Sequence, residues 1–325
     1  MALTCRRPEC TVAQTGICVL NNATDKCPEL NGALADVVSE GLPPVLEEPI
    51  PVSARFPGSG TLAPSELSEI TAKSDSRIIG IIGTPDAGKT AAVVSLYLLI
   101  SRSRLEGFEF ADSKTLMAFE DISRGARRWN ANNPPTQMTS HTQSRNDRQP
   151  GYLHLRLAVE GHGTSMHVLF PDVPGEWTTA LIENNRVDRL EYIRSSDDIW
   201  LVVNGRALVD VNNRLKAMNE VGLLVRRLKA MLGTFAGKLV VTHLDAETVS
   251  ADTLEKITKD AAQQGVTLEV HQIASFGTGG KVKAGQGLAP LLRASLTNRP
   301  RDKSPFWSTA DRLPGRAFWS YRGAP

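Results

Sequence analysis

The sequence predicts an α/β fold: a mostly parallel sheet with one antiparallel strand, preceded by a small cysteine-rich segment. Three observations predict it. Short apolar runs alternate with helical patterns from Arg77 to about Asn298, two of these runs lie too close together for a crossover, and a glycine-rich loop separates the first run from the first helix.

The organisation follows in chain order. Cys5, Cys10, Cys18 and Cys27 are the chain's four cysteines, and all fall within residues 1–30. Thiols this close together suit a tetrahedral zinc site in a segment too small to build a core. The spacing C-x4-C, x7, C-x8-C has one tight pair and one loose one, so a flexible leader with reduced thiols stays open beside it. Residues 31–76 carry Pro43, Pro44, Pro49, Pro51, Pro57 and Pro64 without sustained periodicity, and read as a linker.

The expected domain spans 77–298. It opens with a strand over Arg77–Ile82 and a helix from Gly88 to about Ser103, with Val93, Leu96 and Ile100 on one face. The polar stretch 130–150 reads as a long exposed loop. Tyr152–Val159 and Ser165–Phe170, joined by the turn at 160–163, form a hairpin. Strands at 199–203, 238–242 and 267–274 then alternate with helices around 181–193, 215–232 and 253–264. The remaining residues, 299–325, form a basic and aromatic extension.

Composition narrows the function classes. Hydrophobic residues at 41% and charged residues at 22% fit a globular chain. With 37 basic against 35 acidic residues the net charge is +2, which argues against bulk attraction to nucleic acid or anionic membrane. The longest apolar runs, Ile78–Ile82 and Ala91–Ile100, are too short to span a bilayer. The N-terminus meets Arg6 and Arg7 at once, so no signal peptide and a cytoplasmic location are expected.

The strongest motif is Gly83-Thr-Pro-Asp-Ala-Gly88-Lys89-Thr90, a complete G-x4-G-K-[ST] between a strand and a helix. Its glycines let backbone N–H groups wrap phosphate, Lys89 reaches the β- and γ-phosphates, and the Thr90 hydroxyl suits Mg²⁺. The nucleotide-binding set is therefore Gly83, Asp86, Ala87, Gly88, Lys89, Thr90 and the adjoining Ala91. A second motif, Asp172-Val-Pro-Gly175, ends an apolar strand, where Asp172 suits Mg²⁺ and the Gly175 N–H suits a γ-phosphate. A third is Thr242-His243-Leu244-Asp245, whose Asp could otherwise cap a helix.

Together with Ala274-Ser275, these motifs make residues 77–298 resemble the G domain of the P-loop GTPases of the translation-factor and Ras-like class. The resemblance implies a three-layer α/β/α architecture and GTP hydrolysis with Mg²⁺. It gives Asp245 the guanine edge, Thr242 the bracing of the loop, and Ala274 a backbone N–H for the base carbonyl. His243 stands where that class has lysine, which leaves the strictness of guanine choice open. The class also places a threonine of a mobile loop on Mg²⁺; Thr136 or Thr139 is expected, with Thr142 a further candidate. Glu176 replaces the water-orienting glutamine of Ras-like members, so hydrolysis is expected to be slow without a partner, with Lys89 and Glu176 as the catalytic pair. Arg124, Arg145 and Arg148 are candidates for an internal arginine, and Trp177 is either a handle for a partner or a core residue.

The cysteine leader, the D-x-P-G-E-W segment and the T-H-L-D loop are also similar to bacterial double-GTPase proteins of conflict or defence loci. That similarity implies a second GTPase as protein partner and a regulatory role. A GTP-binding scaffold that does not hydrolyse, and a P-loop ATPase or kinase, are the alternatives.

Overall fold

The structure, a computed structural model, describes residues 4–27, 29–31, 59–127, 139, 149–160, 165–277 and 282–297. Thr136, the greater part of 130–150 and the extension from 299 lie outside them. The chain divides into two compact units, Met1–Phe56 and Pro57–Pro325.

In the first unit, β1 (Thr4–Cys5) pairs antiparallel with β2 (Leu30–Asn31) around the short helix α1 (Val12–Thr15). Val12 and Cys18 are its buried hydrophobics among the described residues. Among the described residues of this unit, these two side chains supply little apolar burial to set against chain entropy.

The second unit is built on a seven-stranded sheet in the order β4-β5-β6-β3-β7-β8-β9. These strands are β3 (Ser76–Ile82), β4 (Phe108–Asp112), β5 (Gly151–Val159), β6 (Ser165–Asp172), β7 (Asp198–Val203), β8 (Ala236–Val241) and β9 (Thr267–Gln272). β5 pairs antiparallel with both β4 and β6, and all other pairings are parallel. One strand therefore runs against the rest, as the hairpin predicted. The central β7 is buried along its whole length, which is why it reads as an unbroken apolar run.

Helices cover both faces. α3 (Lys89–Ile100), α4 (Leu116–Arg127) and α9 (Leu288–Thr297) bury their apolar sides on one face, with Leu96, Phe119 and Leu292 at 0% exposure. On the other lie α2 (Pro64–Thr71), α5 (Gly175–Asn184), α7 (Arg214–Leu232) and α8 (Ala251–Gln263), with the short α6 (Gly205–Val209) beside α7. In α7 the buried positions Ala217, Val221, Leu224, Val225 and Leu228 follow the i, i+4, i+7, i+8 stripe of an amphipathic helix.

Three stretches differ from expectation. α2 lies within the proline-rich stretch 31–76, yet Leu67 and Ile70 are buried and Leu62 bridges Tyr152 of β5. β4 and α4 occupy a stretch in which the sequence showed no element. β4 is an edge strand buried only at Phe108 and shows no alternation, whereas α4 carries an apolar face, with Ala118 and Phe119 buried and Ile122 packed on the core, that the expected elements did not include. The helix expected around 181–193 is instead α5, stopped by Asn185 in the left-handed region at φ +53°, followed by a 3₁₀ turn over Glu191–Ser195.

Two buried polar pairs mark the sheet. Lys238 Nζ of β8 lies 3.1 Å from Asp198 Oδ1 and 3.0 Å from Oδ2 on β7, with both residues buried. On β5 and β6, His154 Nε2 and His167 Nδ1 are 2.8 Å apart. His154 Nδ1 accepts from the Lys114 N–H at 2.9 Å, so its proton sits on Nε2 and is donated to His167. Burial, with the neighbouring His167, pushes the His154 pKa down to about 4. No helix among the described residues is long and apolar enough to cross a membrane.

Candidate nucleotide site

The site forms where β3, β6, β7 and β8 end, on the carboxyl side of the parallel strands, where open α/β sheets bind ligands. The loop after β3 takes a shape that only its own residues permit. A Cβ on Gly83 would collide with the Val202 carbonyl, and Gly88 sits at φ +93° against the Thr242 methyl. Asp86 takes a left-handed φ of +57°, a conformation a short polar side chain tolerates. This loop delivers Lys89 and Thr90 to the first turn of α3.

Lys89 folds back on the loop, its Nζ donating to the Gly83 carbonyl at 2.8 Å and the Thr84 carbonyl at 3.0 Å. Burial lowers its pKa to about 8, although the carboxylates of Glu176, Asp172 and Asp86 draw it the other way. An ammonium with its charge poorly compensated and its donors on neutral carbonyls is poised to exchange them for phosphate oxygens.

The Asp172–Gly175 segment closes against this loop. A Cβ on Gly175 would lie 2.5 Å from Pro85 N and 2.6 Å from its Cα, so glycine is required by contact with the loop backbone. The Gly83 N–H donates to Thr178 Oγ1 of α5 at 3.2 Å, a second tie between the two segments. Asp172, Thr90 and Lys89 border one small cavity of about 10 Å³, about the space of one water. A carboxylate and a hydroxyl on this cavity are hard oxygen donors of the kind Mg²⁺ takes, so the residues fit that ion. Glu176 is exposed. Trp177 is a core side chain at 4% exposure, with the Arg189 guanidinium 5.8 Å from its ring centre, so it offers no handle in this conformation.

The loop after β8 supplies the third wall. The Thr242 hydroxyl, buried at 2% exposure, lies 2.9 Å from the Ala87 carbonyl, 3.2 Å from the Val203 carbonyl and 2.8 Å from His243 Nδ1. It ties the T-x-x-D loop to the glycine-rich loop, as a bracing residue should. His243 takes φ +60°, and burial with the nearby Arg206 lowers its pKa, so it is neutral at pH 7. Asp245 opens no helix; the next, α8, is capped by Ser250, whose side chain accepts from the Thr253 N–H. The helix-cap alternative therefore falls.

Asp245 borders a cavity of about 180 Å³ with Gly88, Ala91, Arg206, His243 and Phe276 among its walls. Ala274 departs from expectation: its N–H already donates to the Gln286 carbonyl at 3.0 Å, and Ser275 and Phe276 line the cavity instead. Arg206 and Phe276 were missed in the sequence, since neither belongs to a motif and only the fold brings them to the cavity.

The remaining candidates are scattered. Thr139 is described without the loop around it, Arg145 and Arg148 lie outside the described residues, and exposed Arg124 pairs with Asp121 at 2.6 Å. All four cysteines border one cavity of about 160 Å³. Among the described residues no three Cys, His, Asp or Glu side chains are set in metal-ligating geometry. Four convergent sulfur donors nevertheless match the chemistry of zinc rather than of a hard cation.

No curated protein matches the chain. A family model described as Double-GTPase 2 matches residues 77–297, a span that runs from β3 through the glycine-rich loop and Asp245 to the end of α9. The chain belongs to this double-GTPase family and is a P-loop GTPase.

Proposed function

We propose that this chain is a regulatory switch that hydrolyses GTP to GDP and phosphate with Mg²⁺. The observation that carries this reading is the packing of Gly175 on Thr84 and Pro85, which brings the second motif against the phosphate loop. Backbone N–H groups of that loop and Lys89 hold the β- and γ-phosphates, and the Gly175 N–H meets the γ-phosphate. Thr90 and Asp172 would hold the metal, with Thr136 or Thr139 as a further oxygen donor; a Mg²⁺ held there would supply positive charge to the phosphates. Asp245 accepts from the guanine edge, and Ser275 or Phe276 offers the N–H that Ala274 cannot. Glu176 holds the sequence position of the water-orienting residue; its carboxylate would be repelled by phosphate, so turnover is slow until a partner, a second GTPase, contributes.

Calorimetric titration with GDP, a GTP analogue and ATP in Mg²⁺ tests the nucleotide assignment. Binding of guanine nucleotides alone, lost in Lys89→Ala and in Asp245→Ala, is the expected result; ATP binding untouched by Asp245→Ala would refute it. Because Glu176 is exposed and acidic, a scaffold that binds GTP without turnover is the second reading. Single-turnover hydrolysis, with and without cell extract, separates the two.

We also propose that Cys5, Cys10, Cys18 and Cys27 hold one structural Zn²⁺. The support is their shared cavity in a unit whose buried hydrophobics, among the described residues, are Val12 and Cys18 alone. One zinc per chain by elemental analysis, with the first unit becoming protease-sensitive on chelation, is expected. Metal-free protein with the same protease resistance would dismiss it.

A further inference from the structure

The largest cavity described lies outside the nucleotide site. It is a groove of about 840 Å³ between α3, the C-terminal end of α4 and residues 275–277 and 282–284. Its floor is apolar, formed by Leu98 and Leu99 of α3 with Val282 opposite, and its size falls within the roughly 300–1,000 Å³ of small-molecule sites.

The rim is basic. Arg102, Arg104, Arg127 and Lys283 border the groove, and among the described residues no acidic side chain does. Arg127 is committed to Glu120 at 2.5 Å, but Arg102, Arg104 and Lys283 have no ion pair among the described residues. Four basic residues bordering one groove in a chain of net charge only +2 are a local arrangement, not a share of a generally basic surface. An apolar groove with a basic rim suits an anionic ligand that also carries an apolar portion, and guanidinium forks suit phosphate oxygens.

One wall is shared with the nucleotide site. Ser275 and Phe276 border both this groove and the cavity next to Asp245. The Ser95 hydroxyl of α3 donates to the Ser275 carbonyl at 2.6 Å, fixing this wall to the groove's own floor helix.

We propose that this groove is a second ligand site, taking a phosphorylated small molecule of nucleotide size, with phosphates on Arg102, Arg104 and Lys283 and an apolar or aromatic portion over Leu98, Leu99 and Val282. A ligand there and a base in the neighbouring cavity hold the same loop from two sides. Occupation of one therefore alters the exchange of the other, and this coupling alone rests on the guanine reading above.

The test uses the full chain saturated with a fluorescent GDP derivative in Mg²⁺, titrated separately with inorganic tripolyphosphate and with ATP. Both should bind saturably without displacing the reporter, ATP several-fold more tightly because it also covers the apolar floor. In Arg102→Glu/Lys283→Glu, both exposed positions, binding of each should weaken at least tenfold while GDP affinity and the thermal midpoint are unchanged. Ligand should change the reporter's dissociation rate in the wild type and not in the double variant. Absence of saturable binding, binding only with loss of the reporter, or equal binding in the double variant would overturn the proposal. If GDP itself fails to bind, the guanine reading fails by that measurement, while tripolyphosphate against the double variant still decides the groove.

Discussion

Replacing Thr242 by valine removes one hydroxyl and keeps the shape of the side chain. The lost hydroxyl is the tie between the loop after β8 and the Ala87 carbonyl, 2.9 Å away, in the glycine-rich loop. The Val203 carbonyl still receives the Thr242 backbone N–H at 3.1 Å, so the deficit falls on Ala87 and on His243 Nδ1, which lies 2.8 Å from the same hydroxyl. A buried carbonyl deprived of its partner costs about 1–3 kcal/mol. In a domain of this size that lowers the thermal midpoint by about 2–4 °C per kcal/mol. Since 1.4 kcal/mol is tenfold in an equilibrium constant, a comparable loss of preorganisation weakens GDP by about tenfold. Calorimetry and thermal melts of Thr242→Val and Thr242→Ser measure this. Serine keeps the hydroxyl but loses the methyl that lies 3.0 Å from where a Gly88 Cβ would be. The reasoning fails if valine binds GDP like wild type and serine does not, because packing on Gly88 would then be the coupling element.

Three further outcomes follow from the same geometry. The pKa of about 8 at Lys89 in the free protein means that between pH 7 and pH 9 most molecules lose the charge phosphate requires; GDP affinity should fall about tenfold over that range, with proton uptake on binding, checked by calorimetry in buffers of different ionisation enthalpy. Gly175→Ala forces the Pro85 backbone aside from a 2.5 Å contact and should cost about 1–3 kcal/mol of stability, raising the Kd for a GTP analogue more than that for GDP. His154 titrates near 6.5 when unfolded and about 4 when folded, so the unfolded chain binds more protons between these values. Stability is full above pH 6.5 and should fall by about 3 kcal/mol as pH drops towards 4, under the combined influence of His167, Asp112, Lys114 and Arg156; urea melts of His154→Phe should show a shallower decline.

The parallel core was legible because its strands are buried on both faces and their apolar runs need no partner to be recognised, as in Ile199–Val203. The phosphate loop was legible for a different reason: Gly83, Gly88 and Lys89 are adjacent in the chain, and their spacing itself encodes the geometry. What stayed hidden depends on contacts distant in sequence. β4 exposes four of its five residues, so its place beside β5 leaves no alternation to read. α2 buries Leu67 and Ile70 in a stretch dominated by prolines, where tertiary packing overrides local composition. Ala274 was assigned an N–H that the Gln286 carbonyl already takes, a pairing twelve residues apart that no motif announces.

The buried Lys238–Asp198 pair bears on how the chain avoids folding wrongly. β7 and β8 are short and apolar, so sliding one past the other by two residues would keep the same faces buried and cost little in hydrophobic contact. With the ion pair, such a slip would leave an ammonium and a carboxylate unpartnered inside the protein, at a penalty of several kcal/mol each. The pair thus works as a key for strand alignment, selecting against misregistered states more than it adds to the stability of the native one. Because the strand ends carry the Asn204 and Thr242 loops, correct alignment during folding also decides whether the two halves of the nucleotide cavity meet at all.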